Sequence, residues 1–434
     1  MHYEKFQDGT VKCIEDEIPF EVPEGWSWAR LRDICMMSAG KSKSTDQIKS
    51  EPFDGSYPCF GGNGVRGYVD EYNQDGTFSI IGRQGALCGN INIASGKFYA
   101  TEHAVVTTLF AGIDFKWSNY ILEALRLNNY ATGAAQPGLS VANILNVFVP
   151  VPSNQEQDRI GSNVDEFLKI AAVLEQEKID LQKIVITAKR KILDLAIHGK
   201  LVPQDPNDEP ASVLLERIRV EKEELIKQGK IKRNKKESVI FKGDDNSYYQ
   251  DLPENWQFTS LREITTSLTL NDGDWILSQN MSNIGDVKLL QLGSIGNMVY
   301  IDKGFKYLTK DIFKELSCTE IFSGYLLINR IISDKMCCCI VPDIDGTIIT
   351  TVDTCWIAPS NTSYDIKFLM YQLASPTFQK EVLLKASGTT RRRISKNNLI
   401  NIALLLPPLA EQKRIVTAIE EAFSKLDKIS EALA

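Results

Sequence analysis

The chain has 434 residues, of which 43% are apolar, and a formal net charge of −7. This length accommodates two domains with their own cores, and no apolar run approaches the ~18 residues of a membrane-spanning helix. The first residues do not resemble a signal peptide, so we expect a soluble cytoplasmic protein. The acidic balance argues against simple electrostatic binding of nucleic acid, which needs Lys and Arg at the phosphates.

The sequence contains two copies of one frame that hold two different fillings. The first frame segment, Val22–Ile34 (VPEGWSWARLRDI), matches Leu252–Ile264 (LPENWQFTSLREI). The second frame segment, Gly133–Ile160, matches Gly388–Ile415. The fillings, residues 35–132 and 265–387, diverge in content and the second is longer. Such a repeat suits a protein that presents two different recognition surfaces, and chance similarity around a Trp is the weaker interpretation.

In the first copy a polar lead-in, residues 1–21, precedes short apolar runs that Gly, Asn and Asp interrupt. These runs, such as Phe78–Ile81 and Ala104–Leu109, predict a mixed domain rich in β-strands. Helical periodicity predicts a helix over Lys116–Asn128 and a counterpart over Ile366–Ser375 in the second copy. The segment Tyr57–Tyr68 (YPCFGGNGVRGY) predicts a hairpin with Asn63 and Arg66 at its tip.

A long helix is predicted over Asn154–Ile197. Ser153 and Glu156 form a capping-box pattern, and an apolar heptad with one break at Lys178 indicates a coiled-coil seam. The helix would reach about 66 Å at 1.5 Å per residue. The tail, residues 409–434, repeats the pattern, so we expect the two helices to pair antiparallel with the domains at opposite ends. The alternative is that each helix packs on its own domain.

The segment between the copies is rich in Pro and charge. Residues 201–210 predict a turn, Ala211–Gly229 a charged helix, and Lys230–Lys236 a basic linker with nucleic-acid contact as the alternative. The predicted division is therefore 1–153, 154–200, 201–250, 251–408 and 409–434. Because the start of the chain resembles the end of this spacer, we expect the copies to be related by approximate two-fold symmetry.

Short sequence motifs within these segments resemble those of a known protein family. Asn154–Ile160 (NQEQDRI), Ala410–Ile415 (AEQKRI) and the spacer Leu193–Arg233 are similar to the specificity subunit of type I restriction-modification enzymes. The resemblance implies an α+β protein: two similar mixed α/β target-recognition domains separated by long antiparallel coiled-coil helices, with no catalytic residues. It further implies that the subunit binds double-stranded DNA at a split, asymmetric site. Its other partners would be two methylation subunits and restriction (translocase) subunits, which would hold the S-adenosylmethionine, ATP and Mg²⁺ that this chain does not bind.

A stand-alone adenine methyltransferase or nuclease is the alternative function. Phe60–Gly64 (FGGNG) fits a Gly-rich cofactor loop, but the Asn/Asp-Pro-Pro-aromatic motif of such enzymes is missing, and Pro407–Pro408 lies between leucines. We find neither a nuclease motif in both copies nor a P-loop. We also expect no metal site, because the three histidines are scattered and the thiols of Cys337–Cys339 alternate along a strand-like segment.

The candidate DNA contacts lie near strand ends and frame ends. Arg83 and Arg330 each end an apolar strand, where a base or phosphate contact and a surface salt bridge are alternative roles. Arg to guanine is the commonest specific base contact. His103 and Asp353 are placed alike and could read opposite hydrogen-bond patterns in the two half-sites. The hairpin tip is open to interpretation as a structural turn or a DNA-facing loop.

The charge is uneven along the chain, and basic residues are concentrated at the start of the second frame segment of the second copy. Gly388–Ser395 (GTTRRRIS) has three arginines where Gly133–Ser140 has Gln136, Pro137 and Gly138, and we expect phosphate contacts from them. The alternative is that they pair with the acidic spacer helix. The full set of candidates is Lys41, Lys43, Asn63, Arg66, Arg83, His103, Gln136, Arg330, Asp353, Arg391, Arg392, Arg393 and Lys396.

Overall fold

A computed structural model describes residues 1–85, 87–133, 137–233 and 252–433. The chain divides into two compact units, Met1–Gln176 and Glu177–Ala434. The strands of the first unit are β1 (Tyr3–Lys5), β2 (Val11–Cys13), β3 (Ser27–Arg30), β4 (Cys35–Ala39), β5 (Tyr57–Gly61), β6 (Gly64–Val69), β7 (Gln74–Gly82), β8 (Ile91–Ala100), β9 (Ala104–Leu109) and β10 (Phe148–Val151). Its helices are α1 (Leu31–Ile34), α2 (Phe115–Ala124), α3 (Val141–Leu145) and the start of α4 (Asn154–Ile197).

A six-stranded sheet of order β4-β9-β7-β8-β5-β6 forms the centre of the first unit. Every neighbouring pair is antiparallel except β5 and β8. Strands β3 and β10 pair separately, and β1 with β2 forms an amino-terminal hairpin. The core buries Leu31, Val105, Trp117 and Leu122 against one another, and each such side chain contributes roughly 1.5–3 kcal/mol of burial free energy.

The second unit holds the end of α4 and the remaining elements. Its helices are α5 (Ala211–Lys227), α6 (Leu261–Ile264), α7 (Lys310–Glu315), α8 (Ile366–Ala374), α9 (Pro376–Lys385), α10 (Lys396–Ile400) and α11 (Leu409–Ala432). Its strands are β11 (Gln257–Ser260), β12 (Leu270–Asp272), β13 (Val287–Leu290), β14 (Lys306–Leu308), β15 (Leu326–Asn329), β16 (Ile331–Ile332), β17 (Cys338–Ile340), β18 (Ile348–Thr350), β19 (Thr354–Ile357), β20 (Arg392–Arg393) and β21 (Ala403–Leu406).

The sheets of the second unit resemble those of the first. The order β12-β19-β15 reproduces β4-β9-β7, and the pair β11 with β21 reproduces β3 with β10. The hairpin β13–β14 is antiparallel like β5–β6, although its sequence lacks the Gly-rich turn. The repeat in the sequence is therefore a repeat of the fold.

The predicted elements agree with the observed ones, with two differences. The hairpin β5–β6 and helices α4, α5, α8 and α11 are present. Helix α2 ends earlier than predicted, because Arg126 adopts a left-handed φ of 47° that no α-helix accommodates. Arg66 lies within β6, whereas Asn63 occupies the turn, so only Asn63 is at the hairpin tip. Residues 234–236 of the predicted basic linker lie outside the described residues.

Matching frame residues make matching contacts at the start of α4 and of α11. The indole nitrogen of Trp26 donates to Glu156 at 3.0 Å, and that of Trp256 donates to Glu411 at 3.0 Å. Glu156, which the capping-box pattern assigns to the helix start, thus binds a frame residue. Burial raises the pKa of the Glu411 carboxyl, which also accepts a hydrogen bond from Gln204.

A glutamine in each frame joins the filling to the long helix. Gln157 accepts from the backbone N–H of Asp114 at 2.9 Å and donates to the carbonyl of Pro152 at 3.0 Å. Gln412 does the same with Asp365 at 2.8 Å and with the Pro407 carbonyl at 3.0 Å. Both aspartates are side-chain N-caps, of α2 and α8 respectively, which fixes where those helices begin.

Helices α4 and α11 pack antiparallel in the second unit. Lys189 pairs with Asp427 and lies 5.1 Å from the ring centroid of Phe423, near the end of α11. Gln204, just beyond α4, donates at 2.6 Å to Glu411, near the start of α11. Residue numbers along α4 therefore increase as the numbers of the neighbouring residues in α11 decrease, which makes the two helices antiparallel. The residues that share one core are Leu193, Ala196, Ile415, Val416 and Ile419.

The apolar stripe of α4 is covered over part of its length. Val185 is 6% exposed, but Phe167 is 71%, Leu174 is 59% and Leu181 is 44% exposed. Because α11 has 24 residues against 44 in α4, it is too short to cover the whole predicted seam. Within the described ranges, no helix is both long enough and apolar enough to cross a membrane.

Candidate nucleic-acid interface

Three candidate residues of the first unit gather at the end of β7. The N–H of Arg83 donates to the His103 carbonyl at 2.9 Å, and the exposed Arg83 side chain donates to the Leu139 carbonyl at 3.3 Å. The turn that carries Asn63 packs here because Gly82 lacks a side chain: a Cβ would lie 2.0 Å from the Gly62 carbonyl oxygen. Arg83, His103 and Asn63 thus lie on one surface.

The other candidates of the first unit lie near its hairpin and β4. The backbone of Lys41 donates to the Ala100 carbonyl at 3.0 Å, and its side chain is exposed. Lys43 binds Glu71 at 2.7 Å, which raises the pKa of the lysine. Arg66 donates to the Thr45 hydroxyl at 3.1 Å. Gln136 lies outside the described residues.

The second unit repeats the backbone arrangement around Arg330. Its N–H donates to the Asp353 carbonyl at 2.9 Å, and its carbonyl accepts from Ile394 at 3.0 Å. In the first unit the carbonyl of Arg83 accepts from Leu139 at 2.8 Å in the same way. The predicted equivalence of Arg83 with Arg330, and of His103 with Asp353, is therefore confirmed at the level of the backbone.

Four cationic candidates of the second unit come together around two carboxylates, one of which belongs to the candidate Asp353. Asp272 lies 3.1 Å from Arg330 and 3.7 Å from Lys396. Asp353 lies 3.0 Å from Arg393 and 3.9 Å from Arg391. We call Asp272, Arg330, Asp353, Arg391, Arg393 and Lys396 the basic cluster, because its four cations exceed its two anions and leave an excess of positive charge.

The three consecutive arginines have separate partners. Arg391 and Arg393 pair with Asp353, and not with the acidic residues of α5 that the sequence offered as the alternative. Arg392 donates to the Leu383 carbonyl at 2.7 Å. Register supports the equivalence of Arg393 with Gly138, since Arg393 bridges Ser387 where Gly138 bridges Thr132. Arg391 is 66% exposed, which leaves its guanidinium accessible to a phosphate.

Sequence reasoning missed Asp272, which organises one side of the basic cluster. It lies in a filling, where the two copies share no obvious words. The sequence signal that could have found it is a glycine directly after the equivalent strands β4 and β12, namely Gly40 and Gly273. A Cβ at Gly40 would lie 2.1 Å from the Ala100 carbonyl oxygen, and one at Gly273 would lie 2.5 Å from that of Thr350. Aligning these glycines places Ala39 opposite Asp272.

Buried thiols and one exposed group around His2 are the arrangements of metal-ligand residue types among the described residues. Burial raises the pKa of Cys339 and of Cys355 to about 12, so these thiols stay protonated and are weak ligands. Among the described residues, His2, Glu15 and Glu21 have ligand atoms within 4.8 Å of one another. These groups are largely exposed, and His2 forms an ion pair with Glu15 at 3.2 Å.

Comparison with known proteins gives consistent results. A family model described as "Type I restriction modification DNA specificity domain" matches residues 23–183 and 253–433. The EcoprrI specificity subunit of Escherichia coli is 44% identical over 38% of this chain and 40% of its own length. The EcoEI specificity subunit of the same species is 24% identical over 99% of this chain and 83% of its own length. The HsdS subunit from Thermoanaerobacter tengcongensis has a similar fold, with a TM-score of 0.54, 15% identity and coverage of 96% of this chain and 93% of that one.

Proposed function

Because the chain belongs to the type I restriction modification DNA specificity family, we propose that its two units read the two halves of a split, asymmetric DNA site. It is a DNA-recognition subunit and not an enzyme, since its family and curated relatives are specificity subunits. One observation carries the proposal of asymmetry: equivalent backbone positions hold an exposed Arg83 beside His103 in one unit and a buried Arg330 beside Asp353 in the other. Different donors and acceptors at the same place suit different bases.

We assign target recognition to residues 1–153 and 251–408, and connection to 154–200, 201–250 and 409–434. In the first domain the exposed side chains at the end of β7, with Lys41 nearby, are our candidates for base and phosphate contacts. In the second domain Arg391, Arg393 and Lys396 supply positive charge for phosphates. The overall charge of −7 favours weak binding by the chain alone and stronger binding once basic partners enclose the duplex.

The partners we propose are two methylation subunits and restriction subunits, bound along the helices. The exposed apolar stripe of α4, represented by Phe167, Leu174 and Leu181, supports this assignment, because such a stripe on a polar helix calls for a protein partner. S-adenosylmethionine, ATP and Mg²⁺ would be held by those subunits. Acting on the DNA of its own cell, the complex would work in the cytoplasm.

A filling exchange tests the proposal. In cells that express the complete system, residues 265–387 are replaced with the corresponding filling of another family member, and the methylated motif is read from genomic DNA. We expect one half-site to change while the other stays the same. The matched control replaces residues 35–132, which should change the other half-site. If either exchange changed both halves or neither, the modular assignment would be wrong.

A second measurement addresses the enzymatic alternative. The purified chain is incubated with S-adenosylmethionine, Mg²⁺ and DNA without partner subunits. We expect neither methyl transfer nor cleavage, and methylation to appear on addition of the methylation subunits. Methyl transfer or cleavage by the chain alone would overturn the assignment as a recognition subunit.

A further inference from the structure

Arg83 in the first unit follows a row of paired residues that carry no charge. Ala39 on β4, Val105 on β9 and Ile81 on β7 form one row of paired residues across three strands. Arg83 comes two residues after Ile81, and alternate residues of a strand point to the same face. The methyl group of Ala39 is therefore the neighbour that this row offers to the arginine. Within the described residues, the hydrogen bond found for its guanidinium is the one to the Leu139 carbonyl.

In the second unit the corresponding row ends in a carboxylate. Asp272 on β12, Cys355 on β19 and Ile328 on β15 are paired in the same way. Arg330 comes two residues after Ile328 and forms an ion pair with Asp272 at 3.1 Å. Its guanidinium also donates to the Val352 carbonyl. Arg330 is 4% exposed, whereas Arg83 at the same position is exposed.

We propose that the residue at this one position determines whether the arginine is available to DNA. With Ala39, Arg83 can turn to a guanine edge or a phosphate. With Asp272, Arg330 is held inside the protein, and Asp353 with the outer cations of the basic cluster presents the surface instead. Asp272 is thus a positioning residue that sets the specificity of the second unit. The inference rests on the proposed function, since it assumes that each unit reads one half-site.

The first test places the carboxylate in the first unit. Ala39→Asp is compared with Ala39→Asn, which has nearly the same size and no charge, in the complex with its methylation subunits. We expect Ala39→Asp to relax one base requirement in a single half-site and to weaken binding of the cognate site about 10-fold, because it removes one bidentate arginine contact. Ala39→Asn should keep the wild-type motif. A wild-type motif and affinity with Ala39→Asp would overturn the inference.

The reciprocal test removes the charge from the second unit. Asp272→Asn is compared with Asp274→Asn, whose amide can still accept the hydrogen bond that Asp274 receives from Thr319. Freeing Arg330 should strengthen binding to all sequences and steepen log affinity against log salt by about one unit. Asp274→Asn should change neither quantity. A thermal melt of each variant separates this effect from loss of structure.

The possible outcomes distinguish failure of this inference from failure of the proposed function. A wild-type complex that methylates no split site would overturn the proposed function. A wild-type complex that reads a split site, together with an Asp272→Asn complex of unchanged salt dependence, would overturn the inference and leave the function intact. A motif changed in one half-site only by Ala39→Asp, together with stronger and more salt-dependent binding by the Asp272→Asn complex, supports both.

Discussion

Inserting one heptad into α4 after Lys178 is expected to lengthen the spacer between the two half-sites without changing the bases read. Seven residues lengthen an α-helix by about 10 Å, which corresponds to about three base pairs at ~3.4 Å each. They rotate the part of the helix beyond the insertion by two full turns less about 20°, so its rotation about the helix axis hardly changes. The insertion precedes Lys189, which pairs with Asp427 of α11, and Leu193, which shares a core with α11, so that pairing need not change.

The assay is sequencing of the methylated motif in cells that carry the complete system with wild-type or lengthened helix. The matched control inserts five residues at the same place. Because each residue turns the helix by about 100°, this insertion rotates one domain by roughly 140° and should abolish modification. A motif with an unchanged spacer in the heptad variant would refute the argument that α4 sets the distance.

Three further predictions concern individual contacts. Replacing Arg391 and Arg393 with Gln, the residue type at position 136, should weaken binding to all sequences and flatten the salt dependence by about two units in a salt titration of the complex; an unchanged slope with an altered base preference would identify them as base readers. Hydrogen bonds from Arg30 hold the pKa of Glu4 below its ordinary value of 4.5, so its ion pair stabilises the β1–β2 hairpin above that pH and the stabilisation is lost as pH falls through the lowered pKa. The protection factors of the β1–β2 amides, measured by hydrogen exchange and corrected for the intrinsic rate at each pH, should therefore fall at acid pH. Glu4→Gln should remove that pH dependence, and equal pH profiles for wild type and variant would contradict this. Gln412→Ala should cost about 1–3 kcal/mol for each buried partner that it leaves unsatisfied, measured by urea denaturation, and a wild-type midpoint would show that water replaces the side chain.

Features that depend on neighbouring residues in the chain were predictable from the sequence. The bounds of α4 are indicated by the polar start at Asn154 and the Gly after the helix, and both agree with the structure. The strands around Ile81 and Val105 are indicated by short apolar runs between Gly and Asp. The equivalence of Arg83 and Arg330 was also visible, because each ends such a run.

Features that depend on register across strands were not predictable. Asp272 meets Arg330 because β12 pairs with β19 and β19 with β15, and nothing local to Asp272 indicates that partner. The pairing of Arg391 and Arg393 with Asp353 has the same origin. The apolar heptads of α4 predicted a stripe to be buried, but a pattern on one helix does not state how much of it a shorter helix covers.

The glutamine contacts at the helix starts affect how such proteins diversify. Gln157 and Gln412 bind a backbone N–H of the filling, and every residue type except proline supplies one. This backbone contact therefore imposes almost no sequence requirement on the insert, whereas the aspartate N-cap beside it is a side-chain feature that both inserts share. Genetic recombination can exchange a whole reading module in one step, and this glutamine contact re-forms without a compensating mutation in the recipient. Selection on new DNA targets can then act on the insert alone.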